Sequence, residues 1–158
     1  MPAIHIDADA CPVKEETYRV ALRYGCKVYL VANGPLRLPQ EGDVELVVVS
    51  DWFDAADDWI AERIGPGDVC VTADIQLAKR CLDKGAAVVG PNGREFTNAN
   101  IGPALAARAM MQDLREIARA EGGPANIGGP APFSKQDRSR FLQTLDQVLT
   151  RLRRAAAR

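Results

Sequence analysis

The first half of the sequence alternates short runs of β-branched and other apolar residues with segments of helical pattern. This alternation is typical of parallel strands joined by helical crossovers. We therefore predict a three-layer α/β fold, Rossmann-like in architecture, with right-handed crossovers. The expected strands cover residues 3–8, 27–32, 44–50, 68–73 and 86–90.

Capping and turn residues delimit the helices expected between these strands. Pro12 is expected to open the first helix and Gly25 to end it. Ser50 or Asp51 is expected to cap the second helix, and Asp74 the third. These three helices are expected within residues 12–25, 51–65 and 75–85.

The sequence pattern predicts two longer helices in the last third of the chain. The first, over residues 98–120, is expected to be interrupted softly at Gly102-Pro103. A loop over residues 121–133 is long enough to form a flap, although a plain connection to the last helix explains it equally. Ser134 and Asp137 form a predicted capping box for the last helix. The expected organisation is a single domain, 1–158, in which residues 121–158 supply a loop and the helix over 135–154.

Composition narrows the class of protein. A chain of 158 residues is long enough for one ordinary core, and its 47% hydrophobic and 26% charged residues are a globular balance. The sequence has no apolar run of membrane-spanning length and does not begin like a signal peptide. We therefore expect a cytoplasmic protein without membrane contact.

Cysteine and histidine usage argues against a zinc site. The four cysteines form no C-x-x-C pair, and His5 is the single histidine. We expect reduced thiols and no disulfide-linked partner. Cys11 stands near an expected helix start, where the helix dipole favours a reactive thiolate.

Charge is distributed unevenly along the chain. Residues 1–134 carry a net charge of −6, whereas residues 135–158 carry +5. The basic end is a candidate surface for a polyanion such as RNA, although a solvated helix face explains the same pattern.

Aspartates follow two of the expected strands. Asp7 and Asp9 stand in IHIDADACP, and Asp74 follows CVTA. Functional groups in parallel sheets gather beyond the carboxyl ends of the strands, near the point where strand order reverses. If the order is 3-2-1-4-5, the first and fourth strands are neighbours, and these carboxylates meet at one edge.

A second acidic group lies in the expected second helix. Asp54, Asp57 and Asp58 are spaced i, i+3, i+4, so they are expected to project from one helix face. Clustered carboxylates repel each other, and Mg²⁺ or Mn²⁺ removes that cost because these cations prefer oxygen ligands. The predicted metal ligands are Asp7, Asp54, Asp58 and Asp74, and Asp9 and Asp57 complete the candidate catalytic set.

Four further side chains are candidates for substrate binding. Asn33 ends the second strand and Thr72 precedes Asp74, so both are expected at the acidic rim. Local turn or strand-end hydrogen bonds are an equal alternative for these two. Lys14 lies on the first expected helix and Arg138 on the last.

Three stretches of the sequence together resemble a known family: IHIDADACPVKEE, SDWFDAADDWIAERIGPGDVCVTADIQLA and GGPAPFSKQDRSRFLQTLD. The resemblance is to the YaiI/YqxD family of uncharacterised bacterial proteins, which is regarded as a branch of the PIN-like nuclease superfamily. It implies a PIN-like sheet of order 3-2-1-4-5 and an acidic metal site. In that site Asp7 would be the first-strand acid, Asp54 or Asp58 the helix acid, and Asp74 the acid after the fourth strand.

Three functional hypotheses follow. The leading one is a Mg²⁺- or Mn²⁺-dependent phosphodiesterase that acts on RNA. A haloacid-dehalogenase-like phosphatase is an alternative, because IDADAC imitates a D-x-D motif with Asp7 as nucleophile and Asp9 as acid. The third is a non-catalytic module that binds RNA or protein through the basic helix over residues 135–154.

Overall fold

The computed structural model describes residues 2–9, 11–52, 54–122 and 132–157. These residues form six strands and five helices. The strands are β1 (Ala3–Asp7), β2 (Lys27–Ala32), β3 (Asp43–Val48), β4 (Val69–Val71), β5 (Ala87–Val89) and β6 (Glu95–Phe96). The helices are α1 (Lys14–Tyr24), α2 (Ala55–Arg63), α3 (Ile75–Asp83), α4 (Asn98–Ala120) and α5 (Lys135–Ala156).

The six strands form one sheet in the order β3-β2-β1-β4-β5-β6. Strands β1 to β5 pair in parallel, and β6 pairs with β5 in antiparallel orientation. The predicted α/β class and the predicted order of the first five strands are therefore confirmed. The sixth strand was not predicted from the sequence.

Two apolar clusters cover the two faces of the sheet, because alternate residues of a strand point to opposite faces. Ile4 and Ile6 of β1 belong to a cluster that includes residues of α1 and α5. Val31 and Val88 belong to the other cluster, together with residues of α2, α3 and α4. The result is the predicted three-layer arrangement, with α1 and α5 on one side and α2, α3 and α4 on the other.

Two details of the predicted helices are wrong. Neither Ser50 nor Asp51 caps α2: its N-cap residue is Asp54, which adopts a left-handed backbone with φ of 66°. The helix α4 is not interrupted at Gly102-Pro103. Pro103 lies in the second turn, where its fixed φ suits a helix and it removes a single early hydrogen bond.

The predicted capping box of the last helix is confirmed. The Ser134 hydroxyl accepts from the Asp137 N–H, and the Asp137 carboxylate accepts from the Ser134 N–H. The predicted loop over residues 121–133 falls mostly outside the described residues, which omit 123–131.

Gly93 lets α5 pack closely on the turn that precedes β6. Its φ is +85°, and an added Cβ would lie 2.5 Å from the Arg140 carbonyl carbon. The Thr144 hydroxyl also donates to the Gly93 carbonyl oxygen at 2.6 Å. Only glycine fits here, since both the backbone conformation and the close approach exclude a side chain.

Within the described part of the chain, no helix is long and apolar enough to cross a membrane.

Candidate acidic site at the carboxyl edge of the sheet

The parallel pairing of β1 and β4 brings two aspartates to the same edge of the sheet. Asp7 ends β1, and Asp74 follows β4 as the N-cap residue of α3. Thr72 is buried between them: its hydroxyl donates to Asp7 Oδ2 at 3.1 Å and accepts from the Asp74 N–H at 3.0 Å. One threonine therefore fixes the relative position of the two acidic segments.

Asp57, in the first turn of α2, is the third member of this cluster. Burial raises the pKa of its carboxyl group to about 7, with further contributions from the charges of Asp74, Asp7 and Asp54 and from a hydrogen bond with Asp74. The charge and hydrogen-bond contributions among these causes come from carboxylates that lie near Asp57. We call Asp7, Asp57 and Asp74 the acidic cluster.

Asp7 has a perturbed carboxyl group as well. Burial raises its pKa, and the charges of Asp9 and Asp74 raise it further. The hydrogen bonds from Thr72 and from the Asp9 backbone act in the opposite direction, because they stabilise the ionised form. Asp9 is exposed, so it affects the cluster from the rim.

Asp54 and Asp58 differ from Asp57 although all three are neighbours in sequence. Asp54 is exposed at the N-cap of α2, where its side chain makes no capping hydrogen bond. Asp58 accepts a hydrogen bond from Arg80 of α3 at 2.9 Å. The structure therefore turns Asp57, and not Asp58, towards Asp7 and Asp74.

Asp74 also has the local role that its position predicts. Its side chain accepts from the backbone N–H groups of Gln76 and Leu77, which caps α3. The cap holds one carboxylate oxygen, Oδ1, and orients the group at the start of the helix. Capping and membership of the acidic cluster are thus compatible.

The remaining candidate residues lie around this edge or in separate contacts. Asn33 follows β2 and is exposed. Lys14 donates to the Cys11 carbonyl oxygen at 3.2 Å. Arg138 of α5 donates to the carboxylate of Glu16 at 3.4 Å. The structure gives Lys14 and Arg138 intramolecular partners and does not show them in contact with the acidic cluster.

Glu16 is a buried acid that the sequence analysis missed. It is 1% exposed and pairs with Arg138 and, at 3.9 Å, with Arg19. The sequence pattern could have indicated this burial. Glu16 follows Val13 by three positions and precedes Val20 by four, so helical spacing places it on the buried face of α1. Burial raises the pKa of the Cys11 thiol, which disfavours the thiolate that a position near a helix start would favour.

The donor chemistry of the acidic cluster fits a hard divalent cation. All its donors are carboxylate oxygens, and the charged groups that raise the pKa of Asp57 are other aspartates, so a cation would relieve their repulsion. Within the described ranges, no group of three or more Asp, Glu, His or Cys side chains is arranged so that it could hold a metal ion. The fit therefore rests on the type of donor and on the mutual repulsion.

Comparison with known proteins identifies the family. The family model described as "Uncharacterized BCR, YaiI/YqxD family" matches residues 5–151. This chain belongs to the YaiI/YqxD family. The predicted resemblance is thereby confirmed.

Similar proteins occur in other bacteria under the name UPF0178 protein. One from Rhodospirillum centenum is 72% identical over 96% of this chain and 97% of its own length. Another, from Sphingopyxis alaskensis, is 58% identical over 99% of this chain and 98% of its own length. One from Azorhizobium caulinodans is 50% identical over 96% of this chain and 92% of its own length. No solved structure matches the chain.

Proposed function

We propose that this member of the YaiI/YqxD family is a Mg²⁺- or Mn²⁺-dependent phosphodiesterase that acts on RNA in the cytoplasm. The observation that carries the proposal is the placement of Asp7 and Asp74 at one edge, both hydrogen-bonded to Thr72, with Asp57 beside them. Partly buried, mutually repelling carboxylates reduce folding stability, and perturbed groups of this kind cluster at functional sites. The resemblance to PIN-like nucleases supports RNA as the substrate by analogy.

Three aspartates would hold the cation. Asp7 and Asp74 are held in place by Thr72, and Asp57 approaches them from α2. Once bound, Mg²⁺ or Mn²⁺ supplies an activated water and stabilises the negative charge that develops on a phosphodiester. Asp57 must release its proton to become a ligand, so cation binding below pH 7 would be accompanied by proton release.

The proposed ligand set differs from the set expected from the sequence. Asp57 replaces Asp58, because Asp58 is paired with Arg80. Asp54 keeps a supporting role, since its charge acts on Asp57 while its own side chain is exposed. Asp9 supports Asp7 in the same way.

Cleavage of RNA by the purified protein tests the proposal. The substrates are a single-stranded RNA and a hairpin RNA, each with Mn²⁺ or with EDTA. We expect cleavage with Mn²⁺ only, and a loss of at least about 100-fold in Asp7→Asn and Asp57→Asn, as for removal of a key electrostatic group.

Two further variants sharpen the test. Asp83→Asn is the matched control, because Asp83 pairs with Lys79 on α3 outside the acidic cluster. Asp58→Asn decides between the two ligand sets, and we expect it to retain activity. Equal cleavage by the wild-type protein, Asp7→Asn and Asp57→Asn would attribute the activity to a contaminant and refute the proposal.

Two alternatives receive less support. A haloacid-dehalogenase-like phosphatase needs its later aspartate pair at the end of a strand, whereas Asp57 and Asp58 lie within α2.

A binding module that uses the basic helix needs cations that are free to contact RNA. Several arginines of α5 contact protein groups instead, among them Arg138, Arg140, Arg151 and Arg153. Salt-dependent RNA binding without turnover would favour the module over the enzyme.

A further inference from the structure

The strand β3 forms one lateral side of the sheet. It is the outermost strand on that side and pairs with β2. Its six residues make it longer than β6, the two-residue strand on the other lateral side. Natural proteins protect an outermost strand with short length, bulges, proline or lysine, because its backbone groups can pair with another chain. The strand β3 has the sequence DVELVV and a continuous register with β2, so it carries none of these protections.

The backbone groups of β3 that point away from the sheet can be identified. The Val49 N–H donates to the Ala32 carbonyl oxygen, so it points inwards, towards β2. Successive residues of a strand direct their backbone N–H and C=O groups to alternate sides, so those of Val44, Leu46 and Val48 point outwards. Within the described part of the chain, no hydrogen bond involves these outward groups. Each of the three residues therefore offers one donor and one acceptor to a further strand.

Exposed apolar side chains lie on β3 and on the segments next to it. They are Leu22, Leu36, Leu38 and Val48. Leu36 and Leu38 belong to the connection between β2 and β3, which contains no helix. Leu22 of α1 lies beside the start of β3, since its Cδ1 is 3.7 Å from the position that a Cβ on Gly42 would occupy. Exposed apolar side chains that are grouped in this way mark an interaction surface.

The sequence of β3 is complementary to a second copy of itself in antiparallel orientation. When Leu46 lies opposite Leu46 of the second copy, Val44 lies opposite Val48, and the outward groups of the two strands form hydrogen-bonded pairs. Val44 and Leu46 pack in the apolar cluster on the α1 and α5 side of the sheet, and Val48 points to the same side because it follows Leu46 by two. The facing side chains are therefore all apolar, and such cross-strand pairs stabilise a sheet.

The charges of β3 are compatible with this pairing. In the register centred on Leu46, Glu45 lies opposite Val47 of the second copy and Asp43 lies opposite Val49, so no two acids face each other directly. The acids also have a cation within their own chain. The Lys27 Nζ of β2 lies 3.0 Å from Asp43 Oδ1 and 3.3 Å from Glu45 Oε1. Repulsion between the two copies is thereby reduced.

We propose that two copies of this chain associate through β3, so that their sheets become continuous by antiparallel pairing centred on Leu46. The interface is isologous, because the same strand contributes from each copy around a twofold axis. Antiparallel pairing reverses the direction of the second sheet, so the two acidic clusters lie at opposite ends of the paired strands. The proposed dimer is therefore independent of the proposed catalytic function.

Sedimentation equilibrium of the full chain in EDTA, over a range of protein concentrations, tests the proposal. We expect a monomer–dimer equilibrium. Val48→Lys should raise the dissociation constant of the dimer at least about tenfold, because the substitution acts twice in each dimer and places charge in the apolar row. Met110→Lys on α4 is the matched control, since Met110 is 65% and Val48 57% exposed. The control should leave the dissociation constant unchanged.

Amide hydrogen exchange followed by NMR tests the register of the pairing. The outward amides of Val44, Leu46 and Val48 should exchange more slowly as the protein concentration rises. The inward amides of Glu45 and Val47 should be protected at every concentration, because they face β2. In Val48→Lys the outward amides of β3 should exchange rapidly at concentrations that protect them in the wild type.

Three results would overturn the proposal. One is a wild-type protein that stays monomeric up to about 100 μM, which would leave β3 to a strand of a different protein. Another is a dimer that Met110→Lys dissociates and Val48→Lys does not, because it would place the interface on α4. The third is a dimer in which the outward amides of β3 stay unprotected.

Discussion

The two edges of the sheet use aspartate in opposite ways. At the amino-terminal edge, Asp68 accepts two backbone N–H groups and ties the start of β1 to the segment that follows α2. At the carboxyl edge, burial and the charge of Asp74 raise the pKa of both Asp7 and Asp57. The aspartate at one edge thus only stabilises the fold, whereas those at the other edge also repel one another. The repulsive edge is where a ligand of opposite charge is expected.

The largest effect is expected from breaking the stabilising edge. Asp68→Ala leaves the Ala3 and Gly65 N–H groups without their partner, so we expect the free energy of unfolding to fall by about 2 to 3 kcal/mol. Urea denaturation measures this change in the free energy of unfolding. Asp83→Ala removes an exposed ion pair with Lys79 and should cost less than about 1 kcal/mol. If both variants lose the same stability, the two hydrogen bonds of Asp68 do not stabilise the amino-terminal edge.

An intermediate effect is expected for Thr72, which connects two members of the acidic cluster. Thr72→Val removes the hydroxyl that donates to Asp7 and accepts from Asp74, at a cost of about 1 to 2 kcal/mol. The same bond lowers the pKa of Asp7, so its loss should raise that pKa further. Carboxyl chemical shifts followed by NMR against pH measure the change. Thr72→Ser keeps the hydroxyl and should leave the Asp7 titration near that of the wild type; an unchanged titration in Thr72→Val would show that the bond has no effect.

The smallest effect has the opposite sign. The pKa of Asp57 in the folded protein is about 7, above its ordinary value of 3.8, so the folded state keeps a proton between these pH values that the unfolded state loses. The free energy of unfolding therefore falls as pH rises through this window. Asp57→Asn removes the free-energy cost of ionising this carboxyl group in the folded protein. In EDTA it should be more stable than the wild type at pH 8, by on the order of 1 kcal/mol after allowance for solvent screening, and equal to it at pH 4. Thermal denaturation at the two pH values measures this, and a less stable Asp57→Asn at pH 8 would contradict it.

Much of the fold could be predicted because its signals are local. Strand and helix alternation, the Asp74 cap and the Ser134 capping box are each encoded within a few residues. The strand β6 was missed because it has two residues and depends on antiparallel pairing of Phe96 with Val88. Such a contact is tertiary and leaves no periodic pattern.

The candidate site could be predicted in outline and not in detail. The strand ends identified Asp7 and Asp74 correctly as neighbours of one edge. The choice between Asp57 and Asp58 depends on how α2 is rotated and on the position of Arg80. Helical spacing could not decide between Asp57 and Asp58. The i, i+3, i+4 spacing places three residues on one face only if all three have a helical backbone, and Asp54 does not.

Calorimetric titration with Mn²⁺ tests most directly the central claim that the acidic cluster is a cation site. We predict saturable binding to the wild-type protein at pH 8. Affinity should fall about tenfold from pH 8 to pH 6, because a proton on Asp57 then competes with the cation. Asp57→Asn should weaken binding at pH 8 and remove most of that pH dependence, whereas Asp83→Asn should do neither. An absence of saturable binding at pH 8, or equal affinity in the wild type and Asp57→Asn, would contradict the account.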